Sequence, residues 1–391
     1  MVRIDRSMEN LNMRNWRGLR FVAVRILLLL VALTDASAAK AVELQLTLPS
    51  EFYAVVDSEM SVYFAETILA EQTTEFQFQA TCEIGLQEAN RWRVVPKAGD
   101  VGRHKFTLSV ADAEGNRLAT ATSTLVVAPV DAGKNRKLRL LIVGDSLTHA
   151  SEYPNEIARL LGRPGNPVFT MLGTHKPGSA AAGVAHEGYG GWTWQRFVEH
   201  YEPEPDGTYR KMSSPFVFLG EDGKSGLDVP RYIAEHCDGV APDVVIFKLG
   251  INDCFHASVE STVAIDETID RMFTYADRLV AAFREAAPQA RLGICLTTPG
   301  NARNGAFEAN YNDPLRRWRW RQIQHRLVQR QIEHFGKRRE EGLFIIPTEL
   351  NLDTVDGYPA NNGVHPNSAG YVQIGTTIYA WLKAVGTTSP D

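Results

Sequence analysis

The chain has 391 residues, 44 % of them apolar, and a formal net charge of −5. Length and apolar share suit a packed globular protein with room for two domains. The acidic balance argues against a grip on polyanions such as nucleic acid.

At the N-terminus Arg3, Arg6, Arg14, Arg17, Arg20 and Arg25 precede an apolar run over 26–33, and Ala36-Ser37-Ala38 follows with a small-x-small pattern. Charge, length and exit are those of a secretory signal peptide over residues 1–38. The apolar run falls short of the roughly 20 residues that span a bilayer, and no second run is long enough. Cleavage would remove six Arg and three acids (Asp5, Glu9, Asp35), leaving a mature charge of −8. The expected location is therefore secreted or periplasmic, with no stable membrane insertion after cleavage.

Residues 42–128 read as an all-β accessory domain. "VELQLTL", "EFQFQA" and "HKFTLSV" alternate apolar and polar residues, the period of half-buried strands. Turn chemistry at 112–116 separates "FTLSVA" from "TSTLVVA". Several short strands with turns between them predict a small β-sandwich. This segment shows no concentrated His, Ser/Asp pair or aromatic platform, so it reads as a structural or spacer module, with a sugar-binding module as the less supported alternative. "PVDAGKNRK", 129–137, is polar, holds Pro and Gly, and reads as a linker.

From 138 to 386 the pattern changes. Short apolar runs at 138–143, 168–172, 244–249, 292–296 and 343–346 alternate with helical stretches such as 267–287 and 315–335. That alternation predicts a parallel sheet covered on both faces. Chemistry in such sheets sits at the carboxyl ends of the strands. In the arginine-rich stretch 315–335, Trp320, Ile323, Leu327 and Val328 share one face. Arg316, Arg319, Arg326 and Arg330 spread around the rest and read as a solvated face.

The four cysteines, Cys82, Cys237, Cys254 and Cys295, form neither a CxxC pair nor a Cys/His zinc pattern. Export permits disulfides. The strand between Cys237 and Cys254 holds its ends roughly 20 Å apart, too far for a bridge between them. Free buried thiols are the plainer reading for most of the four.

Four loops carry the unusual residues: Gly144-Asp145-Ser146-Leu147-Thr148, "HEGYGGWTW" (186–194), "LGINDCF" (249–255) and "NNGVHPNSAGY" (361–371). Each alone has a plain explanation as a helix cap, a tight turn or a loop histidine. Together they hold every part that acyl transfer needs. Ser146 is a nucleophile if a base activates it, and His365 is the candidate base. The backbone N–H groups of Ser146 and Gly191 and the amide of Asn252 are candidate oxyanion donors.

This constellation resembles the SGNH hydrolases, also called the GDSL family. "GDSLT", "GYGGWT", "GIND" and "GVHPNSAGY" match its blocks in order over roughly residues 138–386. The resemblance implies a flavodoxin-like three-layer α/β/α domain with Ser146 as nucleophile, Gly191 and Asn252 as oxyanion donors and His365 as base. The family's last block usually reads DxxH, but here position 362 is asparagine. An amide oxygen fixes the histidine's tautomer without adding charge. Asn362, a backbone carbonyl, or a carboxylate such as Asp353 or Asp356 is the candidate orienting group. Asp253 reads as a brace for its own loop.

"HEGYGGWTW" is also similar to the corresponding segment of family members that deacetylate plant-type polysaccharides. Trp192 and Trp194, if exposed, offer flat faces to sugar rings; the alternative is that they pack the loop against the sheet. The expectation is an exported serine esterase taking O-acyl, chiefly O-acetyl, groups from carbohydrate, with no metal or organic cofactor. Rival readings are a non-catalytic carbohydrate-binding protein on a degenerate esterase fold, and an O-acyltransferase using the same Ser146 and His365.

Overall fold

The computed structural model describes residues 44–313 and 315–386, all within one compact unit. The predicted signal peptide lies outside the described residues.

The N-terminal region is a two-sheet sandwich. One sheet joins β1 (Glu51–Val55), β7 (Arg117–Ala128), β6 (Gly102–Ala111) and β3 (Gln77–Thr81) in that order. The other joins β2 (Met60–Tyr63), β5 (Arg91–Val94) and β4 (Leu86–Gln87). Alternate residues of both sheets turn inward, as a half-buried strand requires. Phe52, Val62, Trp92, Phe106, Leu108 and Leu125 meet there in one apolar core. All pairings are antiparallel except that of β1 with β7, which is parallel.

The strand predicted from "VELQLTL" is absent: residues 44–49 have no regular structure. Its alternation still serves burial, since Leu46 is buried and Leu44 and Leu48 pack against the sandwich core. Its polar groups go elsewhere than a ladder. The Thr47 N–H donates to Thr67 O (2.7 Å), and the Thr47 hydroxyl lies 3.2 Å from His325 Nε2.

Beyond the turns at 130–135 comes an all-parallel sheet. β8 (Lys137–Gly144) is flanked on one side by β9 (Val168–Leu172) along its first half and by β10 (Glu187–Gly188) at its end. On the other side follow β13 (Val244–Lys248), β14 (Arg291–Cys295) and β15 (Leu343–Ile346). An antiparallel hairpin of β11 (Val217–Leu219) and β12 (Ser225–Leu227) lies outside this sheet. With β9 and β10 taken as one edge the order is flavodoxin-like, and its switch point falls between β8 and β13. The strands are apolar on both faces because helices cover both.

On one face α2 (Glu152–Leu161) packs against α9 (Ser368–Trp381). α6 (Thr262–Ala286) packs against α3 (Trp194–Glu199), α4 (Val229–His236) and α8 (Arg316–Phe335). Three short or peripheral helices complete the set: α1 (Ser146–His149), α5 (Ile251–Cys254) and α7 (Asn304–Tyr311). The chain is thus a three-layer α/β/α domain with a small β-sandwich before it. Among the described residues no helix is long and apolar enough to cross a membrane. Cys82, Cys237, Cys254 and Cys295 are free thiols, the last three buried.

The α8 arginines differ from the solvated face expected for them. Arg326 forks onto Asp266 (both bonds 2.7 Å), and Arg330 reaches Asp266 and Asp270. Arg319 pairs with Asp313. Arg316 lies over the Phe255 ring. The sequence shows a helix of arginines; only packing shows the acids of α6 opposite two of them. Arg321 on the same helix joins the two regions, donating to Glu66 (3.0 Å) and to the carbonyls of Ala65 and Ile68. Two backbone ties add to this: Ser61 N–H to Asn351 Oδ1 (2.8 Å) and Tyr63 N–H to Leu350 O (2.9 Å).

Candidate active site

β8 ends at Gly144 because the chain must fold straight back into α1. A Cβ on Gly144 would stand 1.9 Å from Thr148 Oγ1. Asp145 then caps α1, its Oδ1 accepting from the Leu147 N–H (3.0 Å). Burial raises the Asp145 carboxyl to about 6, while buried Lys248 at the end of β13 pulls the other way. Ser146 is the first residue of α1, so the helix offers its N–H no acceptor. Its side chain stays partly exposed at the sheet edge.

Across this edge His365 Nε2 stands 2.9 Å from Ser146 Oγ. Behind the ring, Asn362 Oδ1 lies 3.3 Å from His365 Nδ1. The same oxygen accepts from the backbone N–H of Val364 (3.0 Å) and of His365 (2.9 Å). Asn362 is therefore held by the loop that it orders. Of the three orienting groups left open by the sequence, the asparagine faces Nδ1; Asp353 instead accepts from the Val355 and Asp356 N–H groups. The Asn362 loop is itself anchored, since Asn301 Nδ2 donates to Asn362 O (3.0 Å) and Pro359 O (2.8 Å). Burial lowers the His365 pKa below the ordinary histidine value, which favours the neutral ring that can accept a proton.

The second block hangs from the same strand end. Tyr189 N–H donates to Gly144 O (3.0 Å), and Trp192 N–H to Tyr189 O (3.2 Å). That second bond closes a four-residue turn with Gly191 at its third position. There φ is +79°, a conformation that glycine takes without strain. No described residue accepts from the Gly191 N–H. The third block latches this turn from the far side. Asn252 Nδ2 donates to Trp192 O (2.9 Å), and Asp253 Oδ1 accepts from the Trp194 N–H (3.0 Å). One Asn252 amide hydrogen is thus committed and the other is left over. Asp253 braces its neighbour loop, as well as its own. Burial lifts its carboxyl to about 7, and its Oδ2 has no partner.

The two tryptophans require a correction. Trp192 is 0 % exposed and Trp194 1 % exposed, so neither offers a face to a sugar ring. The turn directs its backbone outward and its aromatic side chains into the core. Trp192 packs on Tyr189 and Phe197, with the Arg196 guanidinium 4.7 Å above the ring; Trp194 packs on Phe247. Glu187 is equally internal, its carboxylate accepting from Thr174 (2.6 and 3.0 Å), from Tyr232 (2.8 Å) and from the Tyr189 hydroxyl.

The site's other wall holds residues that motif reasoning passed over. His149 follows Ser146 by one helical turn, a spacing legible in the sequence. Its Nδ1 lies 2.8 Å from His175 Nε2. Tyr209 covers it, in a Pro- and Glu-rich loop that gives no local signal. No group of three or more His, Cys, Asp or Glu among the described residues is placed to hold a metal ion.

The profile of the GDSL-like lipase/acylhydrolase family matches residues 142–373, more than half of the chain. The chain belongs to this family. Among solved structures it is similar to an aryl esterase from M. smegmatis: 15 % identity, 63 % of this chain and 99 % of that one, TM-score 0.36. It is also similar to Est24, a carbohydrate acetylesterase from Sinorhizobium meliloti: 15 % identity, 62 % and 96 % coverage, TM-score 0.36. Among curated proteins none matches. Membership makes this GDSL protein a hydrolase of the esterase kind, and the matched span holds the four loops just described.

Proposed function

We propose that this GDSL protein is an exported serine esterase that removes O-acetyl groups from carbohydrate. The observation that carries the serine chemistry is the 2.9 Å contact between His365 Nε2 and Ser146 Oγ, with Asn362 behind the ring. His365 takes the proton from Ser146 as the hydroxyl oxygen attacks the ester carbonyl. The N–H groups of Ser146 and Gly191 and the free Asn252 amide hydrogen hold the oxyanion. His365 then returns the proton to the departing sugar oxygen. Water, with His365 again as base, releases acetate and restores the serine. Asn362 fixes the ring's tautomer and contributes no charge. The carbohydrate assignment rests on the likeness of "HEGYGGWTW" to polysaccharide deacetylases, and export rests on the N-terminal sequence.

The test compares wild type with Ser146→Ala on 4-nitrophenyl acetate and on acetylated xylan, pectin and mannan, following released acetate. The variant should lose on the order of 10⁴-fold or more in kcat. Equal rates in both would end the esterase reading and leave a carbohydrate-binding protein. Acylated acceptor sugar in place of free acetate would make it a transferase.

A further inference from the structure

A cavity of about 680 Å³ opens beside the Gly191 turn, lined by Thr174, His175, Tyr209, Arg210 and Met212 among others. It is within the range of roughly 300–1,000 Å³ typical of small-molecule sites, and far larger than an acetyl group needs. Two contacts tie it to the nucleophile. The Tyr209 ring lies 4.5 Å from the His149 ring, one helical turn from Ser146. The Tyr209 hydroxyl is 3.3 Å from the Cβ position of Gly190, the neighbour of Gly191.

We infer that this cavity is the sugar subsite, with Tyr209 as the platform on which a pyranose ring of the acylated carbohydrate stacks. The inference rests on the esterase reading above and adds the residue that selects the substrate. Tyr209 is half-buried, with His149 tilted against its ring at 4.5 Å, and its ring borders the cavity. An aromatic face suits the C–H face of a sugar, and the phenol adds a polar handle. Around it stand groups suited to sugar hydroxyls. His175 spends Nε2 on His149, which leaves Nδ1 for a ligand. Arg210 is exposed, and its guanidinium lies over the Tyr209 ring, 5.8 Å from its centre, where it can reach a hydroxyl of a sugar at the cavity mouth. Burial lowers His149, and lowers His175 to about 4, which favours the neutral rings that serve as hydrogen-bonding partners. The platform role expected of Trp192 and Trp194 thus passes to a residue in a different loop.

The experiment measures kcat/KM for wild type, Tyr209→Phe, Tyr209→Ala and Met212→Trp on two substrates. One is an acetylated oligosaccharide of the preferred backbone among xylan, pectin and mannan; the other is 4-nitrophenyl acetate. The ratio of the first to the second should fall about ten-fold or more in Tyr209→Ala and stay within about three-fold in Tyr209→Phe. Met212→Trp fills the cavity without removing the platform, so it should lower the same ratio if Tyr209→Ala fails to fold. An unchanged ratio in Tyr209→Ala or Met212→Trp overturns the inference. So does a shift confined to acyl-chain preference across 4-nitrophenyl acetate to hexanoate, which would assign the cavity to the acyl group. If neither substrate is hydrolysed by wild type in a Ser146-dependent way, it is the esterase reading that fails. Oligosaccharide titration of Ser146→Ala with and without Tyr209→Ala then still decides the subsite: weaker binding without the tyrosine supports it, equal binding overturns it.

Discussion

Two loops meet at Ser146 and use their unusual residues in opposite ways. In the 361–371 loop the side chains face the cleft: His365 touches the serine and Asn362 touches the histidine. In the 186–194 loop the large side chains turn inward, and the N–H of exposed Gly191 is left without an acceptor among the described residues. His186 shows how completely. It accepts from the Gly188 N–H at Nδ1 (3.1 Å), so its Nε2–H donates to Ser151 Oγ (3.0 Å), and burial drives its pKa down to about 3. A dense motif therefore marks a site without saying whether the side chains or the backbone do its chemistry.

That contrast predicts different failures. His365→Ala should fold normally and lose on the order of 10⁴-fold or more in kcat, as expected of Ser146→Ala, because the proposed mechanism makes the two act as a unit. The double variant should be little worse than either single one; additive losses would separate the pair. Trp192→Ala and Trp194→Ala should fail in stability. Emptying a fully buried indole site costs about 3–5 kcal/mol, visible as a lowered denaturant midpoint. Normal stability with lost glycan binding would instead return these residues to the substrate.

Asn362→Asp sharpens the comparison from the first loop. The carboxylate keeps the acceptor for Val364, His365 N–H and the ring, and adds a charge that stabilises the imidazolium. The expected gain is about ten-fold in kcat/KM, within the ~10⁴-fold that loss of the acid costs a serine protease. Its direction in pH is fixed as well. Burial lowers His365 in the wild type, so the acid limb of the profile should fall below the ordinary histidine value. A neighbouring carboxylate raises that pKa, and the limb should move to higher pH.

The smallest effect concerns the brace on the second loop. Asp253 holds the Trp194 N–H while its other oxygen is buried without a partner, and its pKa rises to about 7. A carboxyl raised in the folded state stabilises fully below its unfolded pKa and loses that contribution as pH rises through the folded one. Stability should therefore decline between about pH 4 and 7. Asp253→Asn keeps an acceptor and removes the titration, so its thermal midpoint should vary less with pH over that window. Identical slopes would place the titration elsewhere.

Much of this was legible in the chain. The strand at 168–172 and the one at 343–346 lie where the apolar runs put them. Helix α6 begins at Thr262, earlier than the apolar pattern suggested, because Ser261 caps it through the Ala264 N–H. Ser146, Gly191 and Asn252 sit just beyond strand ends, and a parallel sheet must bring such positions to one edge; His365 lies at the end of a long loop before α9. Ser146 and His365 stand in local motifs that the sequence shows; which of the open orienting groups faces the ring, Asn362, only the fold decided.

Other features were not legible because they depend on what arrives from elsewhere. Whether an indole is buried is decided by Tyr189, Phe197 and Phe247 closing over it, and no property of "GGWTW" encodes those neighbours. The α8 arginines pair across to acids 60 residues earlier, and a segment with strand alternation gives its hydrogen bonds to Thr67 and His325. Tyr209 lies in a loop without a motif and gains its place only by folding over His149. Periodicity and turn chemistry act over a few residues, so the sequence alone determined most of the elements and the letters of the four loops. Burial and the lining of a cavity are sums over distant contacts, and only the tertiary structure decided them.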